Sequence, residues 1–386
     1  MEKIYFDNNA TTPIHPEVAE FVKPFWKELF GNPSSLHWAG RGVRGYYERA
    51  QEKVSELINA KTNEIVFTSC GTESDNHAIK GVAYAKKDQG RHIITTQVEH
   101  PGVLNACRYL ETNGYRVTYL PVDDYGMLEP EDVEKAIQKD TILISVMYAN
   151  NETGTLLPVK EIGRIAHDRE IIFHSDMVQA IGKIEIDMKE MNVDLASFSG
   201  HKVYAPKGVG ALYIREGIVI ENLIHGGHQE SGRRAGTENI IGIVALGKAC
   251  ELVKKEMKKE NEKIEVLRKK LLQGIIENVD HVKLNGHPEY RLPNTLNISI
   301  EYIESESLLV ALDFNGIAVS SGSACSAGST EPSHVLLSMN IPPEICQSAI
   351  RISLGRENNE KDVDYTISVI PGVVNRLREM SPFYKK

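Results

Sequence analysis

The chain has 386 residues, 53 acidic against 44 basic side chains and a formal net charge of −9. That balance excludes a primary nucleic-acid binder, which needs an excess of Lys and Arg on one face to neutralise phosphates. Apolar residues at 41% with 25% charged exclude disorder as the main state and supply enough material for more than one core. Five cysteines, Cys70, Cys107, Cys250, Cys325 and Cys346, are odd in number and lack the close pairing of a zinc knuckle or redox C-x-x-C. Neither a disulfide framework nor a resident metal is expected. The opening, MEKIYFDNNATTPIHP, has no apolar leader segment, and no run approaches the roughly 18 uninterrupted apolar residues of a membrane span. The expected compartment is a reducing one, the cytoplasm.

From about residue 64 to 215 short β-rich runs alternate with segments of helical length. Seven candidate strands begin at Glu64, His92, Arg116, Thr141, Ile171, Leu195 and Gly210. Segments 73–87, 101–113 and 158–168 read as helices between them. Near-continuous Val/Ile/Leu runs separated by helices predict parallel strands buried on both faces, an α/β fold with a mainly parallel seven-stranded sheet flanked by helices. Ligands in such sheets bind where strands end and helices begin. Further on, Ile264, Leu267, Leu271 and Ile275 mark one face of a long helix whose mixed charge run, 254–263, is its solvated side. Strands near 294–300, 317–320 and 349–354, with helices near 305–315 and at the end, predict a smaller α+β domain. The division is placed at 16–258 for the large domain, with 1–15 and 259–386 forming the small one.

Four stretches carry chemistry. Cys70-Gly-Thr-Glu-Ser-Asp-Asn follows a strand and opens a helix, so its free N–H groups suit either a phosphate or an ordinary helix cap. In Ser199-Gly-His-Lys, Lys202 lies at a strand's C-terminal edge among apolar neighbours. Such a lysine is either a surface residue or a desolvated amine able to form a Schiff base. Asp176 ends an apolar strand, where a carboxylate needs a helix N-terminus or a fixed cation such as a protonated pyridine nitrogen. Gln179 is placed to donate to such a ring's phenolic oxygen, and His100 either stacks on the ring or is a core histidine. Cys325, in Ser320-Ser-Gly-Ser-Ala-Cys-Ser-Ala-Gly-Ser, has almost no bulky neighbour and reads as an exposed thiol in a turn region of about 320–333. Cys107 and Cys250 sit in apolar helical patterns, and Cys70 and Cys346 are given structural roles.

These motifs, with Asn150-Asn-Glu-Thr-Gly, Gly226-Gly-His-Gln-Glu, Arg234-Ala-Gly-Thr and Arg351-Ile-Ser-Leu-Gly in order, resemble the NifS/IscS-type cysteine desulfurases, pyridoxal-phosphate enzymes of fold type I in the class V aminotransferase superfamily. Ser321-Gly-Ser-Ala-Cys is the most discriminating piece. The resemblance implies conversion of L-cysteine to L-alanine, with the sulfur passing to Cys325 as a persulfide. It implies pyridoxal 5'-phosphate carried on Lys202, its ring nitrogen paired with Asp176, its ring oxygen with Gln179, and His100 stacked on the ring and moving protons. Gly71, Thr72, Ser199 and His201 are implied as phosphate ligands, with Thr237 reaching in from a second subunit of a homodimer. Asn151 and Arg351 are implied to hold the substrate carboxylate, and an IscU/NifU-like iron–sulfur scaffold to accept the sulfur, so that Cys325 meets a cluster only on a partner; tRNA thiolation is another possible destination. A selenocysteine lyase or a class V aminotransferase would share much of this machinery. A non-enzymatic scaffold does not fit intact Lys202, Asp176, His100 and Cys325. Two departures stand out: Met177 where a small residue is expected against the ring, and His228 interrupting a glycine run.

Overall fold

The computed structural model describes residues 3–321, 332–382 and 384; Cys325 lies outside them. Seven strands form one sheet in the spatial order Ile65–Thr68, Gly210–Ile214, Leu195–Ser199, Ile172–Asp176, Thr141–Ser145, His92–Thr96 and Arg116–Leu120. Of the six neighbouring pairs four run parallel, and Gly210–Ile214 is antiparallel to both of its neighbours. Every residue of six of these strands is buried, which is why their sequences are nearly unbroken apolar runs; Arg116–Leu120, at the sheet edge, begins exposed.

Apolar clusters cover both faces of this sheet. One gathers Val54, Ile58, Phe173, Phe198 and Ile243, the other Ile79, Val82, Ile93, Leu110 and Leu143. A second, antiparallel sheet has the order Ser320–Ser321, Ala349–Ser353, Thr295–Ile300 and Val282–Asn285. It packs with Ile4, Phe6, Leu271, Leu308 and Ile370 into a core of its own. The edge strand Val282–Asn285 and the two-residue strand Ile4–Tyr5, which pairs in parallel with Ile317–Ala318, escape the sequence reading. Both are too short to show a period.

One helix, Ile240–Asn278, joins the two cores. Its first part contributes Ile243 to Val253 to the larger core, and its second part Ile264 to Ile275 to the smaller. The change falls across the charge run 254–263, whose side chains are exposed or half-buried. No helix among the described residues is long and apolar enough to cross a membrane.

Candidate active site

The strand Ile172–Asp176 delivers Asp176 at its C-terminal end, and Leu195–Ser199 delivers Ser199, with His201 and Lys202 in the single turn that follows. Beside them the helices Gly71–Ala85 and Pro101–Thr112 begin, bringing Gly71, Thr72 and His100. The first helix has Cys70 as its N-cap without a side-chain cap bond. Its leading N–H groups therefore point at the cavity with the helix dipole behind them. From the smaller sheet comes Arg351, and from the loop after Thr141–Ser145 comes Asn151.

These ten residues, Gly71, Thr72, His100, Asn151, Asp176, Gln179, Ser199, His201, Lys202 and Arg351, line one cavity of about 290 Å³. One expected participant is not in it. Thr237 is exposed and stands outside the cavity of its own chain, and Cys325 falls beyond the described residues. Met177, expected against a bound ring, is fully buried in the larger core, and Val178 lines the cavity instead. The reason is local: Asp176 Oδ1 accepts the Val178 N–H at 2.9 Å, which turns the chain just past the strand. Cys70, given a structural role from sequence, also lines the wall.

The hydrogen bonds fix most of these groups. His100 Nδ1 accepts the Gly102 N–H at 3.0 Å, which leaves the ring proton of the neutral imidazole on Nε2. Burial, with Lys202 and His334 adding to it against Asp176, lowers the His100 pKa. His201 Nδ1 meets Thr11 Oγ1 at 3.1 Å, and burial, with neighbouring lysines, brings its pKa down to about 4, so it is neutral at pH 7. Lys202 Nζ donates to the carbonyls of Asn9 and, at 2.8 Å, Ala10. Asn9 O also accepts from Gln179 Nε2 at 2.9 Å, and Asn9 Nδ2 donates to Thr295 Oγ1 at 2.8 Å and Asn151 O at 3.2 Å. Arg351, 1% exposed, donates to Asn151 O at 3.1 Å and Asp7 Oδ1 at 2.8 Å, and its Nε has no partner.

Asp75, Asn9 and Asp7 were not anticipated. Asp75 lies one helical turn past Thr72, fully inside, with Oδ1 unpartnered and 3.8 Å from His174 Nε2. Donor atoms of Asp75, His100 and Asp176 lie within 4.8 Å of one another. Burial and the nearby Asp176 push Asp75 well up, and burial also raises Asp176, against the pull of His100, the Val178 N–H and Lys202. His174, held between Ser145 Oγ at 2.9 Å and Ser197 Oγ at 3.0 Å, is brought by burial to about 3 and adds no charge. Two buried carboxyls this close are relieved either by a proton or by a cation set against them from the cavity. The one sequence signal was Asp75's place, at helical spacing, on the same face as the apolar Ala78, Ile79 and Val82.

The fit to pyridoxal phosphate can be read from these groups. The acidic pair suits a protonated ring nitrogen, and Met147, Ala149 and Val178 offer apolar walls to a ring. The N–H groups at Gly71 and Thr72, with Ser199, suit a phosphate. A Cβ at residue 71 would meet Val178 Cγ2 at 2.7 Å, so only glycine lets the helix start come this close. The residues present fit the cofactor.

The model of the class-V aminotransferase family matches residues 4–366. A cysteine desulfurase IscS from Methanosarcina thermophila is 52% identical over 383 residues, 99% of this chain and 95% of that protein. Among solved structures, a NifS-like protein superposes with a TM-score of 0.92 at 41% identity, covering 97% of this chain and 100% of the other. Another, SspA in complex with cysteine, gives 0.82 at 37% identity over 91% of this chain and 98% of that one. Enzymes of this family depend in general on pyridoxal phosphate. The chain belongs to the class-V aminotransferase family and, within it, to the NifS/IscS-type cysteine desulfurases.

Proposed function

We propose that this protein takes sulfur from L-cysteine, releasing L-alanine and holding the sulfur on Cys325 as a persulfide, with pyridoxal 5'-phosphate carried on Lys202. The observation that carries this reading is one cavity lined by Lys202, Asp176, His100, the Gly71–Thr72 helix start and Arg351. The cysteine-bound relative and the desulfurase relatives support the choice of substrate.

Bound here, pyridoxal phosphate supplies an aldehyde for amines and a ring that withdraws electron density from the substrate's Cα. Asp176, ionised against the ring nitrogen, keeps that nitrogen protonated. Gly71, Thr72, Ser199 and His201 hold the phosphate, and Gln179 Nε2 donates toward the ring oxygen. Arg351 and Asn151 orient the substrate carboxylate, the guanidinium through a charge-assisted pair. His100, neutral with its proton on Nε2, is set to deliver or take a proton at the substrate or at a thiol. Cys325, as thiolate, attacks the substrate sulfur. The new S–S bond forms as the sulfur–Cβ bond breaks, and carbon keeps that electron pair and takes up a proton to become alanine's methyl group. The persulfide then passes to a protein acceptor, for which an IscU/NifU-like iron–sulfur scaffold is the proposed partner, with tRNA thiolation a further destination.

Thr237, exposed in its own chain, is proposed to complete the phosphate site of a second copy in a homodimer, and residues 16–258 are proposed as the cofactor-binding domain. Cytoplasmic placement fits a chemistry that needs Cys325 reduced. The purified protein should be yellow, and borohydride should fix the cofactor on Lys202. A colourless protein that takes up no pyridoxal phosphate, or a Lys202→Ala variant with an unchanged visible band, overturns this reading.

A further inference from the structure

A second lysine lies behind the first. Lys183 follows the Asp176–Gln179 turn, and its Nζ donates to Gln179 Oε1 at 3.0 Å and to Gln179 O at 3.1 Å. Both acceptors are neutral carbonyl oxygens. Lys183 and Lys202 also line a common small cavity of about 20 Å³ with Thr12, Tyr204, Glu260 and Asn294. Glu260, the carboxylate in that set, forms an ion pair with Arg356 at 2.8 Å.

From these contacts we infer that Lys183 is a positioning residue for the cofactor lysine: it fixes the Gln179 amide and places a second positive charge behind Lys202. The amide consequence is geometric. With Oε1 turned to Lys183, the Nε2 end faces Asn9 O at 2.9 Å and the cavity, so the group offered there is a donor. Asn9 O holds the Nε2 end from the other side, so Lys183 and Asn9 together fix the sense of the amide.

The electrostatic consequence concerns Lys202. Like charges a short distance apart in a poorly solvated place disfavour one another's charged forms. Lys183 itself is brought down to about 7 by burial, then by Lys202 and Arg351, so it sets its charge against Lys202 below that pH and loses it above. Other titratable groups facing the pair are His201 and Tyr204 from the turn after Leu195–Ser199, Glu260 from the long helix, and Asp176 and His100 across the cavity. His201 is neutral at pH 7 and Glu260 is held by Arg356. Asp176 and its partner His100 remain when Lys183 is replaced, so a change on replacement reports Lys183. A neighbouring cation favours the unprotonated nitrogen at Lys202, the form in which it bonds to an aldehyde and leaves it again.

This inference rests on Lys202 being the cofactor lysine. The test is a pH titration of the visible absorption of the full-length holoprotein in wild type, Lys183→Met, Lys183→Gln and Lys183→Arg. Lys183→Gln retains a donor to Gln179 without the charge, and Lys183→Arg retains both, so the pair stays informative if Lys183→Met does not fold. The expected result is a midpoint moved upward by about one pH unit in Lys183→Met and Lys183→Gln, and restored in Lys183→Arg. A midpoint in Lys183→Gln equal to that of wild type overturns the inference, as does an equal upward shift in Lys183→Arg. Failure of borohydride to fix the cofactor on Lys202 in wild type would instead sink the assignment of Lys202 itself.

Discussion

Arg351 offers the sharpest quantitative test of substrate binding. It is buried in the middle of the smaller sheet, where its strand pairs with Thr295–Ile300, yet it projects its guanidinium into a cavity formed mostly by the larger sheet. Two of its N–H groups are used, one by Asn151 O and one by Asp7 Oδ1, and Nε is unpartnered. A charge-assisted hydrogen bond to an arriving carboxylate is worth about 1.5–3 kcal/mol. At about 1.4 kcal/mol per tenfold, Arg351→Met should raise the KM for L-cysteine roughly 10- to 100-fold. Asp7, 20% exposed at its side chain, retains access to water when its partner goes, so loss of the ion pair itself is a smaller penalty. Arg351→Lys keeps a charge but not the planar fork and should fall between the two. Alanine formation against cysteine concentration, with the visible band recorded in parallel to show full cofactor occupancy, measures the effect. A fully loaded Arg351→Met enzyme with a KM within twofold of wild type would refute the carboxylate role.

Three further outcomes follow from the same geometry. Gly71→Ala places a methyl group 2.7 Å from Val178 Cγ2 and should weaken pyridoxal phosphate binding by about tenfold or more, with Val178→Ala restoring part of the loss; equal affinity in equilibrium titrations contradicts a cradle at the helix start. Glu99 is fully buried, accepts from Thr96 Oγ1 at 2.8 Å and the Met147 N–H at 2.9 Å, and is raised by burial from 4.5 to about 8. Its folded-state pKa lies above the unfolded one, so its contribution to stability is full below about 4.5 and is lost as pH rises through about 8. Thermal melts of Glu99→Gln should therefore gain on wild type as pH rises toward 8, and an offset independent of pH contradicts a protonated Glu99. Asp75→Asn, neutral and of the same shape, should retain the cofactor band, whereas Asp75→Leu should shift it or lower occupancy; identical spectra for both variants would remove Asp75 from the site's electrostatics.

Much of the site was legible because parallel strands buried on both faces write themselves as apolar runs, and their C-terminal ends are where Asp176, Ser199 and Lys202 must emerge. Gly71, Thr72 and His100 each stand at a helix start, which alone left a phosphate or a plain cap, and a stacked or a core imidazole, equally open; the family resemblance chose between them. What sequence did not reveal depends on distant contacts. Asn9 reaches the cavity and Asp7 reaches Arg351 only because the amino-terminal segment crosses between the two sheets, with Asn8 N bonded to Ser353 O and Thr12 N to His201 O. Asp75 is buried and Lys183 half-buried, although charged residues are normally solvated; their places are settled by the neighbouring helix and strand rather than by local pattern. Met177 turns into the core and Val178 lines the cavity for a local reason, the Asp176 side chain accepting the N–H of the second residue after it.

Cys325 carries the central claim, and mass spectrometry of its peptide tests that claim most directly. After limiting L-cysteine is added to the yellow protein, the Cys325 peptide should gain one sulfur atom, matched by one L-alanine released. Cys325→Ala should retain the cofactor band and release no alanine. Sulfur found on another cysteine, or alanine formed at the wild-type rate without Cys325, would contradict the account.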